Sequence, residues 1–479
     1  MSRRAISVVV LVLLPILLLF GAVFVWKAPP PATAHFATLG QPTTPFVPSQ
    51  SFITATWFCP GVPVGQSRGG AVVIANPADE PLVGRITVFT DADGVGPTEL
   101  DFEVAARDVL EINPIGLQSQ GTYISSMVEI NGGGGFVEQR ADHPQGSAVS
   151  PCSNSTSSEW HFADNYTLND SLEDLIVTNP FPDDAIVNFQ FVSSNGTREP
   201  GALQGVPVPG HSVYIVNQAS LSKDEFVFAV SVVASRGRVI VGRAQQYLVE
   251  RQGYTLSLGA PSPSTGWWFA DGENPAETYF ERFSIYNPSD RDAVVQPDFY
   301  GLTSDTVGLV EEITVPAHRV VSFSATEVPG LPTGRHGSQF ISLNDVPIVV
   351  ERAITRRVGA GAVTTVLLGV PVYFIEVGTM RWSMAIGSEQ AIDAALIVLN
   401  IGAQDASVAV KSLGPGGEVD IEGLEAVLVP ALGVATIALP ASALGQPLIV
   451  VGDQPIIVER SFPRSASLNG RSGSMAMPG

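Results

Sequence analysis

Beyond residue 26 the chain sets short apolar runs between polar turns, about every ten residues, and helical periodicity is absent. The clearest runs are VVIANP, LIVTNP, FSIYNP and LIVLNI, each closing on an asparagine: Asn76, Asn179, Asn287 and Asn400. A polar turn and a second, alternating run follow, as in DDAIVNFQF. Short Val- and Ile-rich runs bounded by Gly, Pro, Asn and Asp predict strands. One stretch shows the full set, reading WHFAD, LEDLIVTNP, AIVNFQF, ALQGVPV, SVYIVN, FVFAVSVVA, RVIVGRAQQYL and YTLSLGA.

The same order of landmarks occurs four times. Trp57, Trp160, Trp267 and Trp382 open the copies in TWFCPG, EWHFADN, GWWFADG and RWSMAIG, at spacings of 103, 107 and 115 residues. Three copies share VPVPGHSV, ITVPAHRV and VLVPALGV, with Pro209, Pro316 and Pro430 in register. Each copy ends in a Val-rich strand (FVEQRA, VIVGRAQ, IVVERAI, IIVERSF) whose arginines Arg140, Arg243, Arg352 and Arg460 lie 103, 109 and 108 residues apart. Independent landmarks with one period define a repeat. The expected fold is all-β, with four tandem antiparallel β-sandwich repeats of immunoglobulin-like size at residues 51–158, 159–265, 266–380 and 381–479. A closed β-propeller with two blades per repeat is the alternative. The chain ends at GSMAMPG without a last tryptophan strand, and the Trp57 strand stands in excess at the front.

The front of the chain has a different pattern. Arg3 and Arg4 precede a run without charge from Ala5 to Trp26, long enough at about 33 Å to cross a bilayer core. The expected arrangement is a signal-anchor helix over residues 1–27, with the N-terminus inside and the bulk of the chain outside the cytoplasmic membrane. Cleavage near Ala34, after the small residues of Ala32-Thr33-Ala34, is the alternative and would release a secreted protein. Residues 28–50, rich in Pro and Thr, read as an extended spacer.

Composition narrows the partners. Hydrophobic residues make up 45% and charged ones 15%, with 47 Gly and 37 Pro, which suits folded β cores. A net charge of −21 argues against nucleic acid, because phosphate recognition needs clustered Lys and Arg. Cys59 and Cys152 are the two cysteines, and in an oxidising space such a pair reads as a structural disulfide.

The signatures HExxH, a phosphate loop ending in GK[ST] and GxGxxG after a strand are absent. No cofactor or metal is expected; Asp91-Ala-Asp93-Gly94 resembles the start of a calcium loop but lacks its remaining ligands. His211 and His318 share a slot that reads as a turn. The repeat arginines read as half-buried structural residues paired across the sheet, and the repeat tryptophans as core. Trp267 and Trp268 are the candidates for a glycan contact if their faces are exposed.

The units WFCPG, WHFADN and WWFADG, followed by the Asn-Pro strand end, Val-Pro-Ala/Gly and Val-Glu-Arg, resemble a repeat of membrane-anchored actinobacterial envelope proteins of unknown function. The resemblance spans residues 51–479; the fourth copy departs from it at Trp382-Ser-Met-Ala and Asn400-Ile401. It implies location and architecture, not a mechanism. The expected function is a non-enzymatic extracytoplasmic envelope scaffold or interaction protein. Its partners would be the membrane through residues 5–26 and envelope proteins or cell-wall glycan. A cell-wall carbohydrate-binding module is the alternative.

Overall fold

The computed structural model describes residues 43–479 except 195, 219–224, 250, 275–277, 302–306, 329–330, 332–333, 360, 389–393 and 466. The run Ala5–Trp26 and the small residues at 32–34 lie outside the described residues. Among the described residues no helix is long and apolar enough to cross a membrane. The end of the expected spacer is bound to the body instead of extended away from it. Val47 N donates to Pro478 O at 2.7 Å, Gly134 N to Pro48 O at 3.0 Å, and Asn154 Nδ2 to Phe46 O at 2.6 Å.

The described chain is all but entirely of the β class, with its strands in mostly antiparallel sheets. In the segment opened by Trp57, one sheet has the order Thr54–Pro63, Tyr123–Asn131, Leu82–Thr90, Thr98–Val104. The other has the order Val109–Ile112, Gly69–Ala75, Phe136–Asp142, Ala148–Pro151. The second sheet recurs as Ser212–Asn217, Leu172–Asn179, Ile240–Tyr247, Arg251–Leu258, and twice more in the segments of Trp267 and Trp382. Two of these sheets join through a short parallel pairing of Arg251 and Gln252 with Ala362 and Val363.

Burial explains the two kinds of apolar run. Ala293–Tyr300 alternates strictly between buried and half-buried positions, as a strand with one solvated face does. Ala395–Asn400 is buried at all six positions, because its sheet is covered on both faces. One face meets its own segment and the other a neighbouring one. The Trp57 strand pairs with its own segment, from Thr54↔Asn131 to Pro63↔Tyr123. It therefore does not complete the last segment, as the propeller alternative required.

The recurring asparagines are turn clamps. The amides of Asn76, Asn179, Asn287 and Asn400 donate to the carbonyl four residues on, at 2.9, 2.8, 2.7 and 2.8 Å. Each also reaches a carbonyl across the segment: Val104, Val208, Val315 or Val429. Their Oδ1 atoms accept from the N–H two residues on, an Asx turn. The slot of His211 and His318 is a left-handed turn position, with φ 56° and 52°, and Leu432 takes it at 51°.

Asn also fixes the register of the arginines. Four positions before each Asn, Leu175, Phe283 and Leu396 face Arg243, Arg352 and Arg460, while Val72 faces Gln139. Arg140 is thus one position out of step with the other three. It points outward and pairs with Glu111 at 3.2 Å and Asp142 at 3.3 Å. The last segment packs on the first: one buried cluster joins Trp57, Ile74 and Val137 to Ile386, Leu413 and Phe462.

Candidate functional site

Three joints between segments share one buried construction. The Trp160 and Trp267 strands break their ladders at a bulge, between Phe228 and Val230 opposite the first and between Phe269 and Gly272 in the second, while the Trp382 strand ends at Met384, just before the corresponding N–H. A bulge frees N–H groups from the ladder and re-aims them. Ala163 N and Asp164 N donate to Glu351 Oε2 at 2.8 and 2.7 Å. Ala270 N and Asp271 N donate to Glu459 Oε1 at 2.7 and 3.1 Å. Ile386 N donates to Glu138 Oε2 at 2.8 Å.

The same carboxylates take a two-pronged guanidinium. Arg243 donates to both oxygens of Glu351 at 2.8 and 3.1 Å, and Arg352 to both oxygens of Glu459 at 2.7 and 3.0 Å. Arg460 donates to both oxygens of Glu138 at 2.9 and 3.3 Å, so the last segment is clasped to the first. All six side chains are buried. Arg243, Arg352 and Arg460 are therefore fully buried and paired between segments, not half-buried and paired across their own sheet as Arg140 is. Adjacent strand residues face opposite ways, so Glu351 reaches back to Arg243 while Arg352 reaches on to Glu459. Phe162, Phe269 and Phe462 cover the guanidinium faces at 5.1, 5.2 and 5.6 Å.

The joint between the first and second segments is built differently. Pro60 stands where the other joints supply an N–H, Gln139 replaces the arginine, and Gly242 replaces the glutamate. Gln139 turns back on its own segment, donating to Gly61 O at 3.0 Å and accepting from Gly61 N at 3.2 Å. A Cβ at Gly242 would lie 2.2 Å from Pro60 Cβ, so the proline ring fills the acid's place. Around it His143 stacks on Tyr254 at 4.4 Å, Phe89 stacks on His211 at 6.0 Å, and Tyr123 Oη donates to Asp174 at 3.0 Å. Beside Pro60, Cys59 is disulfide-bonded to Cys152, with Cα atoms 4.4 Å apart.

Burial sets the ionisation of these groups. It raises the carboxyls of Glu351 and Glu459 against the pull of Arg243 and Arg352. Glu173, which accepts from Gln218 Nε2 at 2.6 Å, is pushed up to about 8 by burial, with Arg243 opposing. Asp271 goes the other way: burial works against its charge, but Arg356, Arg335 and Arg352 hold it at about 2. His143 is lowered to about 4 by burial and by Arg68.

The remaining candidate residues fall into structural places. Trp267 and Trp268 are 0% and 7% exposed, so neither offers a face to a sugar. The Trp267 indole donates to Ile348 O at 2.7 Å, and Trp160 and Trp382 make the same bond to Val239 O and Ile456 O. Asp91 is tied to Thr122 N, Thr122 Oγ1 and Tyr123 N as a turn clamp. Among the described residues no group of three or more His, Cys, Asp or Glu can hold a metal. His161 Nδ1 lies 2.8 Å from Ser231 Oγ, but both are buried and Ser231 is also bonded to Tyr286 Oη. That hydroxyl has no face left for a substrate.

A family of unknown function (DUF5719) matches residues 134–363. No curated protein matches the chain. Among solved structures, Thermotoga maritima 1070 is 17% identical, with 23% of this chain and 96% of that chain covered and a TM-score of 0.21. The Anabaena sensory rhodopsin transducer is 29% identical over 19% of this chain and 88% of that one, with a TM-score of 0.17. A tetra-tandem repeat from the extending region of a large adhesion protein is 14% identical over 84% and 93%, with a TM-score of 0.12. Scores this low carry no argument about fold.

Proposed function

We propose that the chain is a non-enzymatic scaffold of the cell envelope, built as a closed ring of four β-sandwich repeats and held at the cytoplasmic membrane by residues 5–26. The observation that carries it is the Arg460–Glu138 pair, which repeats at the ends of the chain the clasp used between neighbours. Head-to-tail contacts of one kind either run on as a filament or close as a ring, and closure gives a rigid body suited to holding partners at fixed positions. The Cys59–Cys152 disulfide fits an oxidising, extracytoplasmic compartment. The resemblance to actinobacterial envelope repeats points the same way. The carbohydrate-binding reading loses the exposed Trp267 or Trp268 face it depended on.

The test uses intact cells carrying the full chain with a C-terminal tag. The tag should be open to added protease and should sediment with the membranes. Photo-crosslinkers at the exposed rim residues Val249 and Leu428 should capture a defined set of envelope proteins. A protected tag, or mature protein beginning at His35 in the medium, would overturn the anchored topology. Retention on isolated cell-wall glycan that is lost with Trp268→Ala would favour the carbohydrate-binding module instead.

A further inference from the structure

The strands Ala148–Pro151, Arg251–Leu258, Gly361–Leu368 and Arg471–Met475, one from each segment, pack around one another. Where they end they leave a recess with a cavity volume of about 70 Å³, or about 620 Å³ counted out to its open mouth. Its walls include Val149, Leu258, Leu367, Phe374 and Met475, and among the described residues no charged side chain lines it. The serine hydroxyls at its edge are engaged elsewhere: Ser257 and Ser474 accept from Arg243 and Arg460 at 3.2 and 3.0 Å, and Ser150 donates to Pro151 O at 3.0 Å. A mainly aliphatic recess with so few polar groups is a poor site for water and a good one for hydrocarbon.

Two further observations say which hydrocarbon. The chain comes in over the recess: Thr44 and Pro45 form part of its wall, and Phe46 lies 6.3 Å from Phe374. The sequence leading to that point carries the uncharged run Ala5–Trp26. The short helix Val372–Glu376 that supplies Phe374 also exposes Tyr373 by 40%, and just after it Val377 and Met380 are exposed by 59% and 43%. Large apolar side chains beside an apolar recess suit the boundary of a bilayer, where tyrosine is also favoured.

We propose that the recess receives the end of a membrane-lipid acyl chain, with Tyr373, Val377 and Met380 resting at the lipid interface. The inference rests on the anchored reading above, and the test separates the two. Full-length protein is reconstituted into phosphatidylcholine vesicles containing a trace of lipid with a diazirine at the end of one acyl chain. It is then irradiated, and the adducts are mapped by mass spectrometry. Adducts are expected at Leu258, Leu367 or Met475 as well as within residues 5–26. Adducts confined to residues 5–26 would leave the anchor standing and overturn the recess. Adducts in the recess alone, reproduced by a diazirine fatty acid in free solution, would support the recess and overturn the anchor. No adducts from either probe would overturn both. Leu258→Trp, or the milder Leu367→Phe if the first fails to fold, should cut recess labelling at least fivefold and leave labelling of residues 5–26 unchanged. Unchanged recess labelling in a folded variant would overturn the assignment.

Discussion

The joint between the second and third segments and the joint between the first and second occupy equivalent places and solve the same problem by opposite means. At the first of these, Arg243, Glu351 and two bulge N–H groups form a buried charged clasp. At the other, Gln139, Gly242 and Pro60 remove the base, the acid and one N–H together, and aromatic stacking and a nearby disulfide take over. The lesson lies in the joint replacement. Removing one member of a buried ion pair leaves an uncompensated charge and costs about 3–5 kcal/mol, whereas exchanging the whole set for well-packed neutral groups can be neutral. The three positions therefore behave as one unit although they lie far apart in the chain.

The largest effect should come from the disulfide, which the charged joints lack. Cys59 and Cys152 are 93 residues apart, and closing a loop of that length stabilises by about 4–5 kcal/mol in the chain-entropy model. Cys59→Ser with Cys152→Ser should lower the urea midpoint of the full chain, and reductant should then have no further effect. A midpoint equal to that of the oxidised wild type would remove the disulfide from the account of this joint.

Next comes the clasp itself. Glu351→Ala strands Arg243 in the interior and should cost about 3–5 kcal/mol. Arg243→Gln together with Glu351→Gly copies two of the three changes in the uncharged joint. It should be less harmful than the sum of its single changes by about 0.5–3 kcal/mol. Gln139→Arg puts a guanidinium opposite Gly242 with no acid to meet it, so it should destabilise by about 3 kcal/mol. If Glu351→Ala cost under about 1 kcal/mol, the clasp would be no more than a surface-grade ion pair.

The two joints should also differ in their response to pH. Glu173, near Arg243, is held at about 8 against an ordinary 4.5. Between those values the folded chain keeps a proton that the unfolded chain has lost, so stability falls as pH rises from about 4.5 to 8. His143, in the uncharged joint, is held at about 4 against an ordinary 6.5. Here the unfolded chain binds the extra proton, so this contribution is complete above 6.5 and is lost as pH falls towards 4. Glu173→Gln should therefore gain stability over wild type on going from pH 5 to pH 8, and His143→Phe should do so on going from pH 7 to pH 4.5. Urea midpoints at these pH values that run parallel for wild type and variants would contradict both assignments.

Much of this was legible in the sequence, and the failures have physical causes. Strand alternation, the Asn-Pro turns and the cysteine pair are local signals, and Asn76, Asn179, Asn287 and Asn400 do keep one register. In the first segment, matching Arg140 to the other arginines by residue type missed the register by one position. The strand there reads Glu-Gln-Arg, and only the pairing Val72↔Gln139 shows which side chain faces inward. The clasp of Glu138 by Arg460 spans 322 positions and has no periodic signature. Nor does burial of Trp268 follow from its pattern, since an exposed aromatic pair and a buried one read alike until the sheet that covers them is known.

The smallest expected effect concerns one turn slot seen in both settings. His211, His318 and Leu432 all adopt positive φ, at 56°, 52° and 51°, a conformation that costs a residue with a Cβ about 1 kcal/mol relative to glycine. Leu432 is 36% exposed, and its side chain makes no ring contact or ion pair among those described. Leu432→Gly should therefore relieve strain, offset in part by the greater freedom of glycine in the unfolded chain, for a net gain of about 0.5 kcal/mol. His211 has the same backbone strain, but its ring stacks on Phe89 in the uncharged joint, and such a contact contributes about 0.5–1.5 kcal/mol. His211→Gly should therefore gain nothing or lose slightly. Urea midpoints of the two glycine variants moving together would show that the stacking does not help to hold that joint. A higher midpoint for Leu432→Gly alone would show that, where no charged clasp is present, even a strained turn residue is held in place by its contact across the joint.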